Sequence, residues 1–489
     1  MPETGGLLPS PPKGVKNDMN RKVCRQTCPD RTAGREEKTQ AMSRLLHRSL
    51  HAEPIRIATG EGMYMTTATG ARILDGSGGA AVSCLGHNNA RVNAAIEAQL
   101  RAIAYAHTTS FTNDAAEALA ERLVGHEPGG LSHAYLISSG SEGTEAALKL
   151  ARQYFLEIGQ PQRTRFIARR ASYHGNTLGA LAAGGNAMRR APYGPILADA
   201  FSHVSPCFAY RHQAAGEADE SYVARLAAEL ESEFQRLGPQ NVIAFIAEPV
   251  VGATTGCVTA LPGYFPAMRT VCDRHGALLI LDEVMCGMGR TGTTHAWEQE
   301  GVSPDIQVIA KGLGGGYQPI GGILIHKRVI AALRAGSGAF MHGHTYQAHP
   351  VACAAALAVQ KVVAEDALLD NVRAMGKLLA EGLQDRFGNH AHVGDIRGRG
   401  LFQAIELVAD RATKEAFDPK FRLYDRVREA ALDAGLSVYP MNGTIDGRRG
   451  DHVVIAPPYI AQREHIEAIV ERLGGAVDTA LAGVRREAA

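Results

Sequence analysis

The chain has 489 residues, 51 Lys or Arg against 50 Asp or Glu, a formal charge of +1, and 45% hydrophobic and 21% charged residues. Near-neutrality argues against a general nucleic-acid binder and against electrostatic docking on an anionic membrane, and the apolar content excludes whole-chain disorder. At this length two or more domains are expected.

Residues 1–45 read as a flexible extension. Pro2, Pro9, Pro11, Pro12 and Pro29 mix there with nine Lys or Arg and five Asp or Glu, without hydrophobic periodicity. The stretch has no apolar signal-peptide core, and its basic excess leaves an organelle address open beside a cytoplasmic location. Cys24 and Cys28 stand four apart with no second pair nearby, a weak zinc pattern. The eight cysteines are thinly spread, which points to free thiols in a reducing compartment and not to a disulfide scaffold. The longest stretch free of Asp, Glu, Lys and Arg, residues 335–360, holds three histidines and is too polar to cross a membrane.

From Leu46 onward short apolar runs alternate with helical patterns. Strands are expected at 134–137, 165–168, 242–246, 277–281 and 306–310, with helices such as 142–155 and 217–237 between them. This alternation predicts an α/β fold with a largely parallel sheet, apolar on both faces because helices cover it on either side. Beyond about Leu368 the chain becomes more helical and more charged. The expected organisation is an extension at 1–45, the N-terminal part of a small domain at 46–85, a large domain at 86–367 and a C-terminal small domain at 368–489.

Ligands of open parallel sheets bind at the carboxyl ends of strands, so the residues after each apolar run carry the functional argument. After 134–137 comes Ser138-Ser139-Gly140-Ser141-Glu142, opening a helix. Its free N–H groups suit a phosphate, although Ser three before Glu is also an ordinary capping box. After 277–281 comes Asp282, costly at the end of a buried strand unless it has a partner. After 306–310 comes Lys311 with Gly312-Leu313-Gly314-Gly315-Gly316. Desolvation there would lower the lysine's pKa and make its amine a usable nucleophile, against the alternative of a side chain snorkelling into water. Together the three features match pyridoxal phosphate: a lysine for the Schiff base, a carboxylate for the pyridinium nitrogen and a helix terminus for the phosphate. The spacings of a P-loop and of a dinucleotide fingerprint are both missing, which weakens a nucleotide-binding reading.

The sequence resembles the class III pyridoxal-phosphate-dependent aminotransferases of fold type I, in the ω-transaminase-like branch, from about Arg56 to about Leu473. The resemblance rests on Ser139-Gly140-Ser141-Glu142, Tyr173-His174-Gly175, Glu248-Pro249, Leu281-Asp282-Glu283-Val284 with Gly287-x-Gly289-Arg290-Thr291-Gly292, Lys311-Gly312, and Thr345-Tyr346 before His349-Pro350. It implies a large domain with a mostly parallel central sheet, plus a smaller α/β domain from the N- and C-terminal parts. It implies Lys311 as the Schiff-base lysine and proton carrier, Asp282 as partner of the ring nitrogen, and Tyr173 and Val284 on the two faces of the cofactor ring. Gly140 and Ser141 would bind the phosphate, His174 would belong to the cofactor shell, and Glu248 would order the polar side of the ring. Thr345 would reach the phosphate of a neighbouring subunit, which implies a homodimer.

The sequence departs from that pattern in two places. Thr144 stands where many relatives carry Asn. Val454 stands two residues before Ala456-Pro457-Pro458, where members that use an α-carboxylate carry Arg, and an apolar residue cannot pair with a carboxylate. Arg448 and Arg449, in the Gly-rich stretch 442–450, are candidate substitutes that could swing in for a keto acid, or else two solvated loop arginines. Arg397 and Arg399 resemble a widespread structural motif. The expected reaction is transfer of an amino group from an amine or ω-amino acid to a keto acid such as pyruvate, by a ping-pong route. The rivals are a decarboxylase, lyase or aminomutase on the same residues, and a non-catalytic scaffold, which Lys311 and Asp282 together disfavour.

Overall fold

The computed structural model describes residues 43–51 and 53–488. The Cys24–Cys28 pattern and most of the 1–45 extension lie outside the described residues. Residues 43–51 form no helix or strand, and Leu45, Leu46 and Leu50 there are exposed. A compact body runs from Ile55.

The body opens with β1 (Ile57–Glu61), β2 (Tyr64–Thr67) and β3 (Arg72–Asp75), an antiparallel meander. Next come β4 (Leu131–Ile137), β5 (Arg165–Arg169), β6 (Phe201–Val204) and β7 (Val242–Ala247), then a short hairpin of β8 (Val250–Val251) and β9 (Val258–Thr259). β10 (Leu278–Asp282), β11 (Ile306–Ile309) and β12 (Gly321–His326) follow. The C-terminal part holds β13 (Val393–Arg399), β14 (Phe402–Leu407), β15 (Leu436–Ser437), β16 (Tyr439–Asn442) and β17 (Asp451–Ile455).

The central sheet has seven strands in the order β4-β12-β11-β10-β7-β5-β6. Its internal pairings are parallel except at β12, which runs antiparallel to both β11 and β4. Two four-stranded sheets flank the sequence of the large one: β13-β14-β17-β16, and β1-β2-β3 joined in parallel by β15. The expected mostly parallel α/β fold is therefore present, with a small sheet built from both ends of the chain.

Period-2 geometry explains the unbroken apolar runs. Along β10, Ile280 packs on one face with Ile243, Ile306 and Ile323 against Ala146, Ala147, Leu150 and Ala151 of the helix Gly140–Glu157. Leu279 and Leu281 point the other way, into a core with Phe245 and Leu324 that the helices Asp114–Val124, Asp219–Leu237 and Tyr264–Arg274 complete. Each fully buried Leu or Ile contributes about 1.5–3 kcal/mol. The expected helix at 217–237 starts at Asp219 because Glu217 is used one turn earlier, accepting from Ala214 N (2.9 Å) and pairing with Arg225 (2.8 Å). Among the described residues no helix is long and apolar enough to cross a membrane.

Candidate active site

The carboxyl ends of β4, β5, β7, β10 and β11 surround a cavity of about 380 Å³. It is lined by Ser138, Ser139, Gly140, Ser141, Tyr173, His174, Gly175, Glu248, Asp282, Val284 and Lys311, with Val82, Val250, Met285, Gln318, Pro319 and Ile320 among the remaining walls.

The strand-to-helix turn after β4 satisfies both of its sequence readings. Ser139 Oγ accepts from Glu142 N (3.2 Å), and Glu142 Oε2 accepts from Ser138 N (3.0 Å), a cap for the helix Gly140–Glu157. The first-turn N–H groups of Gly140 and Ser141 have no intrahelical acceptor and face the cavity side, where they can take an anion. Glycine is needed at 140: a Cβ would lie 2.9 Å from one Val284 methyl and 3.0 Å from the other. Thr144, one turn on, is fully buried, and its hydroxyl donates to His174 O at 2.7 Å.

Asp282 ends β10 and is 4% exposed. Its Oδ1 accepts from Val284 N (3.0 Å), and its Oδ2 lies 2.8 Å from His174 Nδ1, so the imidazole holds one carboxylate oxygen in place. Behind it Glu283 is tied by Ala296 N, Trp297 N and Gln307 Nε2 at 2.7–2.9 Å, which anchors the turn that follows.

Lys311 opens a 3₁₀ turn after β11 with φ +46°, a left-handed conformation uncommon outside glycine. The turn is held from behind by Gln360 Nε2, which donates to Gly312 O (3.0 Å) and Leu313 O (2.9 Å). Burial pushes the Lys311 amine down to about 8, although the Asp282 and Glu248 carboxylates pull it back up and Arg189 lowers it further. Desolvation at the strand end, and not snorkelling, is thus what its environment imposes. Glu248, just past β7, is pushed up to about 7 by burial, with His174 and Arg169 opposing and Asp282 reinforcing. Its Oε1 accepts from Tyr173 N (3.3 Å), while its buried Oε2 has no hydrogen-bond partner among the described residues and stands 3.8 Å from Arg169. That orphaned oxygen, the close glycine at 140 and the lysine and aspartate on neighbouring strands fit a small flat anionic cofactor with a polar ring edge.

The other expected residues fall elsewhere. Thr345 is exposed on the surface segment after Met341, its carbonyl accepting from Tyr105 Oη (2.9 Å), and it does not line this chain's cavity. Arg448 and Arg449 are exposed and also off the lining. Their loop is closed by its own bonds: Gly443 N donates to Gly450 O (2.7 Å), Asp446 Oδ1 accepts from both arginine N–H groups, and Arg449 pairs with Asp446 at 2.8 Å. Arg397 is fixed by Gly256 O, Asp395 and Glu406, and Arg399 by Glu300. Val454 lies on β17, 1% exposed, packed with Val250, Cys257, Cys286 and Ala456 beneath Met285. The sequence reading missed Met285, Gln318 and Ile320, which carry no chemistry-bearing motif, and Arg189, whose guanidinium lies 4.7 Å from the centroid of the Tyr173 ring.

A mostly parallel α/β sheet that brings a desolvated lysine and a histidine-held aspartate to adjacent strand ends defines an enzyme of the transaminase class. Residues 46–477 match the family described as aminotransferase class-III, and the chain belongs to that family, whose members are pyridoxal-phosphate enzymes. It is 49% identical over 453 residues to an uncharacterised aminotransferase of Schizosaccharomyces pombe, covering 93% of this chain and 99% of that one. It is similar to the solved structure of an (S)-enantioselective ω-transaminase from Thermomicrobium roseum, with 36% identity, a TM-score of 0.83 and coverage of 88% and 94%. It is also similar to an ω-transaminase from Pseudomonas jessenii in complex with PMP, with 34% identity, a TM-score of 0.82 and the same coverage.

Proposed function

We propose that this protein is a homodimeric, pyridoxal-phosphate-dependent transaminase that moves an amino group from an amine or ω-amino acid to a keto acid such as pyruvate by a ping-pong route. The observation that carries this reading is the convergence of Lys311 and Asp282 from neighbouring strands on one cavity. Pyridoxal phosphate, when bound, supplies an electron sink for bond breaking at the substrate Cα.

The residues take the following parts. Lys311 would hold the cofactor through its amine and would carry the proton at the substrate Cα, a task that burial favours by lowering the amine's pKa from the ordinary lysine value. Asp282 keeps the ring nitrogen protonated, and His174 orients the carboxylate for that task. Tyr173 and Val284 fix the plane of the ring. Gly140 and Ser141 take the phosphate with backbone N–H groups. Glu248 faces the polar edge of the ring. Thr345, exposed in its own chain, contributes to the phosphate site of a second copy. Val454, buried and apolar where carboxylate-using relatives carry Arg, offers an α-carboxylate no partner, which favours donors without one.

A half-reaction panel tests the reading. Protein saturated with pyridoxal phosphate is mixed, without acceptor, with terminal diamines, ω-amino acids, alkyl and aryl amines, and α-amino acids. The expected result is loss of the bound cofactor's visible band with an amine or ω-amino acid and its return on adding pyruvate. Turnover without any keto acid would point to a decarboxylase, lyase or aminomutase, and a best response to α-amino acids would overturn the donor assignment.

A further inference from the structure

Two arginines stand side by side at 189 and 190, and among the described residues only Arg190 makes side-chain hydrogen bonds. Arg190 donates to Gly184 O (3.0 Å) and reaches His203 Nε2 (3.0 Å). Arg189 forms no ion pair and no side-chain hydrogen bond among the described residues; its guanidinium rests over the ring of Tyr173.

Its place is set firmly. The segment 184–186 is laced to the segment that carries Tyr173: Ala171 N donates to Gly185 O (3.2 Å) and Gly185 N to Ser172 O (3.1 Å). The two backbones approach so closely that a Cβ at Gly185 would lie 2.2 Å from Arg169 O. Asn186 Oδ1 then caps the next turn by accepting from Arg189 N (3.1 Å). From the other side, Gly447 packs its backbone against Ala187 and Met188, where a Cβ would come within 3.4 Å of both amide nitrogens. Arg189 is therefore held in register with a cavity residue, near enough to Lys311 for its charge to lower that amine's pKa.

A half-buried guanidinium over a cavity-lining ring, with no carboxylate paired to it among the described residues, has its charge open to an incoming anion. Its planar fork matches a carboxylate through two parallel N–H bonds, whereas an apolar amine would leave it on the aromatic face. We propose that Arg189, on the Tyr173 side of the cavity and just behind its lining, receives the carboxylate of the keto-acid acceptor and the distal carboxylate of an ω-amino acid donor. The proposal rests on the transaminase reading above.

The test uses holoenzyme with Arg189→Met and Arg189→Lys. Wild-type protein is first shown to transfer from a simple amine to pyruvate; absence of any transfer overturns the transaminase reading and this proposal with it. In R189M the KM for pyruvate is expected to rise about 10- to 100-fold, while the half-reaction with a carboxylate-free amine stays within about threefold. Propionate, a carboxylate without a reactive carbonyl, is expected to perturb the cofactor absorbance of wild type at concentrations that leave R189M unchanged. R189K, which keeps the charge but loses the fork, is expected to fall between the two, and it serves if R189M does not fold. An unchanged pyruvate KM, or equal losses with amine and keto acid, overturns the assignment of Arg189 while leaving transaminase activity intact.

Discussion

Replacing Asp282 by Asn separates the chemical role of the strand-end carboxylate from its structural one. The amide keeps an oxygen for Val284 N, now 3.0 Å from Oδ1, but sets an NH2 group against His174 Nδ1, 2.8 Å from Oδ2. The imidazole can answer by changing tautomer, accepting at Nδ1 and carrying its proton on Nε2. That nitrogen is already buried without a hydrogen-bond partner among the described residues, so the switch sacrifices no bond seen there. The fold then loses only the difference between a charge-assisted and a neutral hydrogen bond, about 1 kcal/mol. On the proposed reading the reaction loses the charge assigned to keeping the ring nitrogen protonated, and removing one preorganised electrostatic partner costs about 10²- to 10³-fold in rate. Stopped-flow absorbance with a saturating amine, on protein whose cofactor content has been measured, reads the rate; thermal unfolding reads the fold. A half-reaction within about threefold of wild type, with cofactor bound, would refute the argument. A collapse of stability larger than about 3 kcal/mol would refute the tautomer reasoning instead.

In the apoenzyme, burial holds the Lys311 amine down at about 8. The rate of cofactor capture should accordingly rise with pH through about 8 and level off above it, whereas a solvated lysine would keep gaining up to about 10; recombination kinetics across that range decide between them. The sign for stability is the same: between the lowered folded value and the ordinary unfolded one the unfolded chain binds more protons, so this group's contribution to apoenzyme stability increases with pH over that window. If Thr345 serves a second copy, Thr345→Ala should weaken cofactor binding about tenfold or more. Mixing it with inactive Lys311→Ala chains should then restore tight binding at one site per hybrid dimer, and failure of the mixture to recover would count against a shared site. Gly185→Ala places a methyl 2.2 Å from Arg169 O and should cost about 1–3 kcal/mol in thermal unfolding while loosening the Tyr173 segment; a melt unchanged from wild type would show that the two backbones can separate freely.

Much of this protein was readable from short stretches of sequence because the informative features are local. A fully apolar run announces a strand covered on both faces, and a charged residue ending such a run, as at Asp282 and Lys311, announces where the carboxyl edge of the sheet lies. The boundary shifts are small and have local causes: β10 takes in Asp282 as its last residue, and the helix expected from 217 waits until Asp219 because Glu217 is occupied with Arg225. The stretch 442–450 is rich in glycine, yet Asp446 gathers the N–H groups of Arg448 and Arg449 and closes the loop, an interaction of near neighbours that composition does not reveal.

What only the tertiary structure decided depends on residues far apart in the chain meeting. His174 reaches Asp282 across 108 positions, and the orphaned oxygen of Glu248 acquires meaning only beside them. Gln360 braces the turn after Lys311 from a distant helix. Val454 comes to lie behind Met285, itself a cavity residue, only through the packing of β17, and Arg189 rests over Tyr173 only because the backbone at Gly185 pairs with that at Ala171 and Ser172. Sequence patterning specifies which face of each element is buried, since that follows from a period of two or 3.6 residues; which polar groups then share a cavity is set by strand order and packing, and no local period encodes that.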